Sequence, residues 1–222
     1  PRRAGIASGW QRLLLSDRPA EPVPRQLHTV ERADWLLRGL SLDVRRPIPL
    51  LAAEASRRGA IRVRLAAFPR PWLVLGIGSS EAFKQWGADN FSALVTALLD
   101  RCGGSCFLLG GQAEGDMAAR IAQAAGARDT VVALIQQPLQ EVIALLAEAQ
   151  VFIGNDTGML NLAAACGTAS IGLFGHPLSA WVAGSSPCIH PVYPESGLSC
   201  EGVRDIRLAA VLAAVERVGI AG

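Results

Sequence analysis

From Trp72 onward, apolar and polar positions fall into blocks that predict a regular succession of buried strands and helices. Trp72 to Ile77 is a short apolar run closed by Gly78-Ser79-Ser80, the pattern of a strand entering a polar loop. Phe91, Leu94, Val95, Leu98 and Leu99 then recur at helical spacing, predicting a helix to Asp100 with Asp89 as its cap. Ser105 to Leu109 predicts a strand ended by Gly110-Gly111, Ala113 to Ala125 a helix, and Thr130 to Leu134 a short strand. Pro138 suits the first turn of a helix continuing to Ala149. Val151 to Ile153 predicts a buried strand, Gly154 to Gly158 a tight polar turn, then an almost wholly apolar helix and a strand from Ser170 to Phe174. The Pro/Gly/Ser-rich stretch from His176 to Ser199 reads as loop, and Asp205 to Val218 as a final amphipathic helix.

Strands alternating with helices of roughly 10–15 residues imply an α/β fold, a Rossmann-like parallel sheet with helices on both faces. In such a sheet the loops after the strands gather at one edge, where ligands bind. Three small polar loops are then expected together: Gly78-Ser79-Ser80, Gly110-Gly111-Gln112 and Asn155-Asp156-Thr157-Gly158. Residues 1–70 differ. They carry most of the arginines and three proline-rich breaks, with one helical pattern between His28 and Leu40 and no complete sheet of their own.

Composition narrows the class. Half of the 222 residues are hydrophobic, but no run reaches the roughly 20 apolar residues a spanning helix needs, and no signal peptide opens the chain. A soluble, cytosolic protein without a transmembrane segment is expected. A net charge of +2 argues against a large nucleic-acid footprint. The five cysteines are scattered, and Cys102 and Cys106 have no second pair or histidine cluster to complete a metal site, so free structural thiols are expected. Lys84 is the only lysine among 21 basic residues. An ammonium that persists among arginines marks a position where a compact point charge is wanted.

Asp156, Thr157 and Gly158 stand where a helix begins, and unpaired N–H groups there suit a phosphate or a sugar hydroxyl. A plain helix cap would explain the same residues. Asn161, the one polar residue in the first turns of that helix, lies one turn beyond Thr157. Lys84 follows the first strand in Gly78-Ser79-Ser80-Glu81-Ala82-Phe83-Lys84, and is either a surface partner of Glu81 or a cation reaching a diphosphate. The spacing fits neither a Walker loop nor a dinucleotide fingerprint. Glu114 could accept from ribose hydroxyls or simply favour a helix first turn. His28, His176 and His190 flank no candidate nucleophile, and no catalytic base is identified.

Taken in order, the strand, the loop with Lys84-Gln85-Trp86, the Gly110-Gly111 turn and Ile153-Gly154-Asn155-Asp156-Thr157-Gly158 with its apolar helix resemble glycosyltransferase family 9, the bacterial heptosyltransferase-like enzymes. The resemblance covers about Pro71 to Val218 and implies the C-terminal, donor-binding half of a GT-B architecture. Residues 1–70 would be the tail of an N-terminal acceptor domain plus connector, and 71–222 the donor domain. It further implies an inverting transfer of a sugar from a nucleoside diphosphate donor to a lipopolysaccharide-core or related glycan acceptor. That acceptor would be lipid-linked at the inner membrane surface, and the reaction would need no metal or other cofactor. Lys84 and Asp156-Thr157-Gly158 would hold the diphosphate and sugar. Ser79 and Ser80 would flank the phosphates, and Glu114 with Gln137 would lie near the nucleoside. The family usually has a histidine where this chain has Asn161, and its general base is an aspartate that no residue here matches. A non-catalytic sugar-nucleotide binding protein and a GT-B-like sugar-nucleotide epimerase are the competing readings.

Overall fold

Alternation of side chains along each central strand divides the apolar residues between two opposite faces. On the strand Trp72–Gly76 (β1), Leu73 and Leu75 enter one core while Trp72 and Val74 enter the other. Ser105–Gly110 (β2) does the same with Cys106 and Leu108 against Phe107 and Leu109, and Val151–Asn155 (β4) with Val151 and Ile153 against Phe152. A strand apolar on both sides is stable only when both sides are covered. Along the chain Val131–Ile135 (β3) comes between β2 and β4, and Ser170–Leu173 (β5) and Ile189–Val192 (β6) follow β4. All pair in parallel, in the order β3-β2-β1-β4-β5-β6.

The computed structural model describes residues 3–5, 9–17, 29–42, 50–176, 186–198 and 202–220. The chain divides into two compact units, 1–47 and 48–222. In the first, the helix expected between His28 and Leu40 is present as Thr29–Gly39 (α1), His28 itself lying outside the described residues. The second holds the sheet. One face is covered by Ala88–Cys102 (α3), Gly115–Ala124 (α4) and Leu208–Arg217 (α7). The other is covered by Ala55–Arg64 (α2), Leu139–Leu146 (α5) and Gly158–Ala165 (α6). Each fully buried Leu, Ile or Phe in these layers contributes roughly 1.5–3 kcal/mol of transfer free energy.

Several boundaries differ from the sequence reading. Gly87, with φ of 100°, opens α3 from a left-handed conformation, so Asp89 lies in the first turn and is not the cap. Helix α5 stops at Leu146, not Ala149, because residues 147–149 tighten into a turn; there Glu148 receives Arg58, Arg62 and Arg70. β4 runs on through Gly154 and Asn155, positions expected to be turn, because β1 pairs with Gly154 and β5 with both residues. β6 was hidden in the expected loop of residues 176–199. Its Pro191 cannot donate to a ladder, which an edge strand tolerates.

The reversal of strand order falls between β1 and β4, the point where an open parallel sheet parts its loops into a crevice. Gly76, Gly154 and Gly172 stand in register across β1, β4 and β5 just before that crevice. A side chain on Gly76 would run into the Phe152 ring, and a Cβ on Gly154 would lie 2.8 Å from the Gly76 carbonyl oxygen. Gly76 and Gly154 leave room for the Phe152 ring, and Gly172 for Phe174 and Leu160.

Candidate functional site

A cleft of about 870 Å³ opens beyond the carboxyl ends of β1, β2 and β4. The three polar loops singled out in the sequence all contribute to it, because parallel strands deliver their exits to one edge. Eight of the nine candidate residues line it: Ser79, Ser80, Lys84, Glu114, Gln137, Asp156, Thr157 and Gly158. Asn161 is exposed one turn into α6 and lies outside the lining.

Lys84 ends a 3-10 turn, Ala82–Lys84, whose main chain closes by Lys84 N–H donating to the Glu81 carbonyl at 3.0 Å. The ammonium lies 2.8 Å from Glu81 Oε2 and 3.2 Å from Asp156 Oδ2. Burial works against its charge, and the hydrogen bond to Glu81 and the charge of Asp156 outweigh burial, so its pKa is raised above 10.5. It is a fixed cation at the meeting of two loops. Lys84 pairs with Glu81, as the surface reading expects, and also reaches Asp156 on the far side of the crevice.

At the start of α6 the two candidate caps, Asp156 and Thr157, place their side chains differently. Thr157 occupies the N-cap position in extended conformation but makes no side-chain capping hydrogen bond. Asp156 is buried and spends its carboxylate on Lys84. The start of α6 therefore keeps its N–H dipoles directed into the cleft without a side-chain partner at the cap.

Glu114 bridges the other two loops. Its Oε2 accepts the Gly111 N–H at 2.8 Å, and its carboxyl carbon sits so close to Gly78 that a Cβ there would be 3.2 Å away. Gln137 is half-buried and donates through Nε2 to the Ile135 carbonyl at 3.2 Å. Gln136, unremarked in the sequence, also lines the cleft with a left-handed φ of 54°. Ser79 Oγ donates to the Glu81 carbonyl at 2.9 Å and accepts the Glu81 N–H, so its hydroxyl shapes the loop; Ser80 is exposed. Leu109, Leu134, Val142 and Met159 supply an apolar section. Among the described residues the charged lining is one ammonium against Glu81, Glu114 and Asp156. Among the described residues no cluster of three or more His, Cys, Asp or Glu side chains is placed to hold a metal ion.

Two residues that sequence reasoning missed hold the site together. Asn155, at the end of β4, donates through Nδ2 to Oε1 of Gln85, in the Lys84 loop, at 3.0 Å. An asparagine directly after the apolar run of β4 was the available signal, but its assignment to a tight polar turn concealed its burial.

Comparison with known proteins bears on this arrangement. The family model described as glycosyltransferase family 9 (heptosyltransferase) matches residues 1–180. No curated protein matches by sequence. Among solved structures, the E. coli ADP-heptose lps heptosyltransferase II superposes with a TM-score of 0.77 at 20% identity, covering 92% of this chain and 66% of that one. A glycosyl transferase family 9 protein from Veillonella parvula DSM 2008 gives 0.75 at 15% identity, covering 98% and 67%. E. coli heptosyltransferase WaaC with ADP gives 0.66 at 18%, covering 93% and 61%. At these identities the structures establish the fold, and the chain spans about 60–66% of the length of the E. coli heptosyltransferases.

Proposed function

This chain belongs to glycosyltransferase family 9, and we propose from that premise that its cleft binds the nucleoside diphosphate end of an activated sugar for inverting transfer to a glycan acceptor. The observation that carries this reading is the Lys84 ammonium held at 2.8 and 3.2 Å by Glu81 and Asp156, beside an α6 N-terminus that no side chain caps. A diphosphate laid between them would receive one charged donor and the helix N–H groups. Glu114 and Gln137 line the same cleft as Leu109, Leu134 and Val142, and a ribose and base are assigned to these residues. ADP accompanies one of the structurally similar heptosyltransferases, which makes an ADP-sugar the first donor to try.

In the intact enzyme an acceptor hydroxyl would give its proton to a general base and attack the anomeric carbon as the bond to the diphosphate breaks. Negative charge then grows on the departing phosphate, and preorganised donors aimed at it lower the barrier most. Among the described lining residues Lys84 is the positive group, and the reading assigns it the stabilisation of the departing group without a metal ion. No residue of the cleft is assigned as the base. The acceptor proposed is a lipopolysaccharide-core or related glycan presented at the cytoplasmic side of the inner membrane. No helix among the described residues is long and apolar enough to cross a membrane.

Calorimetric titration of the chain with ADP, UDP and GDP tests the donor assignment. Saturable binding that Lys84→Ala weakens supports it, and absence of binding by all three overturns it. Release of nucleoside diphosphate by the full-length protein, given donor and acceptor extract, separates a transferase from a non-catalytic binding protein.

A further inference from the structure

Asn155 is the last residue of β4, is fully buried, and has no part in the chemistry above. Its side-chain amide is nonetheless completely engaged. Oδ1 accepts the Trp86 N–H at 3.2 Å, while Nδ2 points to the Ile77 carbonyl at 3.2 Å, the Gly78 carbonyl at 3.1 Å and Gln85 Oε1 at 3.0 Å. The neighbours dictate that orientation, because the reversed amide would set its oxygen against three oxygens. All four partners belong to one segment, residues 77–86, the loop that carries Ser79, Ser80 and Lys84.

That loop has little regular structure of its own beyond the 3-10 turn and the Ser79 turn. Its far end is pinned independently. Trp86 is buried, donates its indole N–H to the Ile206 carbonyl at 3.0 Å, and packs edge-on against Phe91. Between Ile77 and Trp86 the chain is gripped by two consecutive residues of β4 and its exit: Asn155 through main chain and Gln85, Asp156 through the Lys84 ammonium. A loop already ordered in the free protein does not charge its ordering entropy to ligand binding.

We propose that Asn155 is the positioning residue of the donor cleft: it locks residues 77–86 against β4, so that Lys84 is held over the Asp156–Gly158 turn, and thereby governs nucleoside diphosphate affinity without touching the ligand. The affinity part rests on the diphosphate reading of the cleft.

The test compares Asn155→Leu and the milder Gln85→Met, each with Lys84 present and in a Lys84→Ala background. ADP affinity is measured by calorimetry, thermal midpoint in the same samples, and amide hydrogen exchange across residues 77–86. With Lys84 present, Asn155→Leu weakens ADP binding about tenfold and Gln85→Met about threefold, and both speed exchange in 77–86. In the Lys84→Ala background the further affinity loss falls below about twofold, while the drop in thermal midpoint is the same in both backgrounds. Unchanged exchange in 77–86, unchanged ADP affinity, or equal affinity losses in both backgrounds would each overturn the proposal. If Asn155→Leu does not fold, Gln85→Met decides by the same criteria. Should the unmutated chain bind none of ADP, UDP and GDP, the donor reading and the affinity part fail together. Exchange then still decides the latch: faster exchange supports it and unchanged exchange overturns it.

Discussion

The ammonium of Lys84 lies 3.2 Å from the carboxylate of Asp156, joining the loop that leaves β1 to the turn that leaves β4. The two residues meet only because the sheet places β1 beside β4. Their contact ties the two loops together at the rim of one cleft and sets a positive charge beside the turn that opens α6.

Replacing Lys84 tests how much of the ligand's affinity that charge supplies. A hydrogen bond to a charged group is worth roughly 1.5–3 kcal/mol, so Lys84→Ala is expected to weaken nucleoside diphosphate binding about ten- to hundredfold. Lys84→Arg should recover only part of this, because the planar guanidinium cannot fit between Glu81 and Asp156 as a point charge does. Calorimetry showing Lys84→Ala equal to the unmutated chain would refute the role.

Glu81 pairs with the Lys84 ammonium at 2.8 Å through a half-exposed side chain, and would compete with a phosphate bound there. Glu81→Gln removes a negative charge that an incoming phosphate must face. An exposed pair is worth little, so the expected gain in affinity is about two- to fivefold, largest at low ionic strength. A loss of affinity would show instead that Glu81 is needed to hold Lys84 in place.

The raised pKa of Lys84 has a definite sign in pH titrations. Its folded value lies above 10.5, so its charge and its contribution to stability are complete below that value and are lost only as pH rises through the higher folded one. Nucleoside diphosphate affinity should therefore show no basic limb from this lysine between roughly pH 7 and 9. A midpoint inside that range that vanishes in Lys84→Ala would contradict the geometry.

Cys106 is buried in β2, and burial pushes its thiol from 9.0 up to about 12. In the folded chain it should stay unmodified by iodoacetamide at mildly alkaline pH, while unfolding exposes it; peptide mass spectrometry reads the difference. Because the folded state holds the proton more tightly, the associated stability is complete below the ordinary thiol value. It declines as pH climbs from 9.0 toward about 12.

Beneath the cleft, Gly76→Ala drives a methyl group into Phe152 and is expected to destabilise by about 1–3 kcal/mol. Phe152→Ala alone should cost about 3–5 kcal/mol through its cavity. The two changes relieve each other, so the double variant should lose less than the sum in denaturant midpoints. Strict additivity would mean that the absence of a side chain at Gly76 does not serve to seat that ring.

Much of this protein is written locally. Apolar runs such as Leu73 to Leu75 and the helical spacing of Phe91, Leu94, Val95 and Leu98 announce the strands and helices, because burial of one face is a periodic property of a single segment. The same alternation of elements announces a parallel sheet and the gathering of three polar loops at one edge. Lys84 and Asp156 could be singled out by residue type and loop position. Their pairing could not, nor could the fate of Asp156 as a lysine partner in place of a helix cap. Asn155 was hidden for the same reason: its four hydrogen-bond partners lie on a strand exit distant in the chain. β6 escaped notice because an edge strand, paired on one side and containing Pro191, carries only a weak periodic signal. Segment identity is a local matter of which faces avoid water; strand order is a global one, and only the packed sheet, with β1 against β4, decides which polar side chains face each other across the cleft.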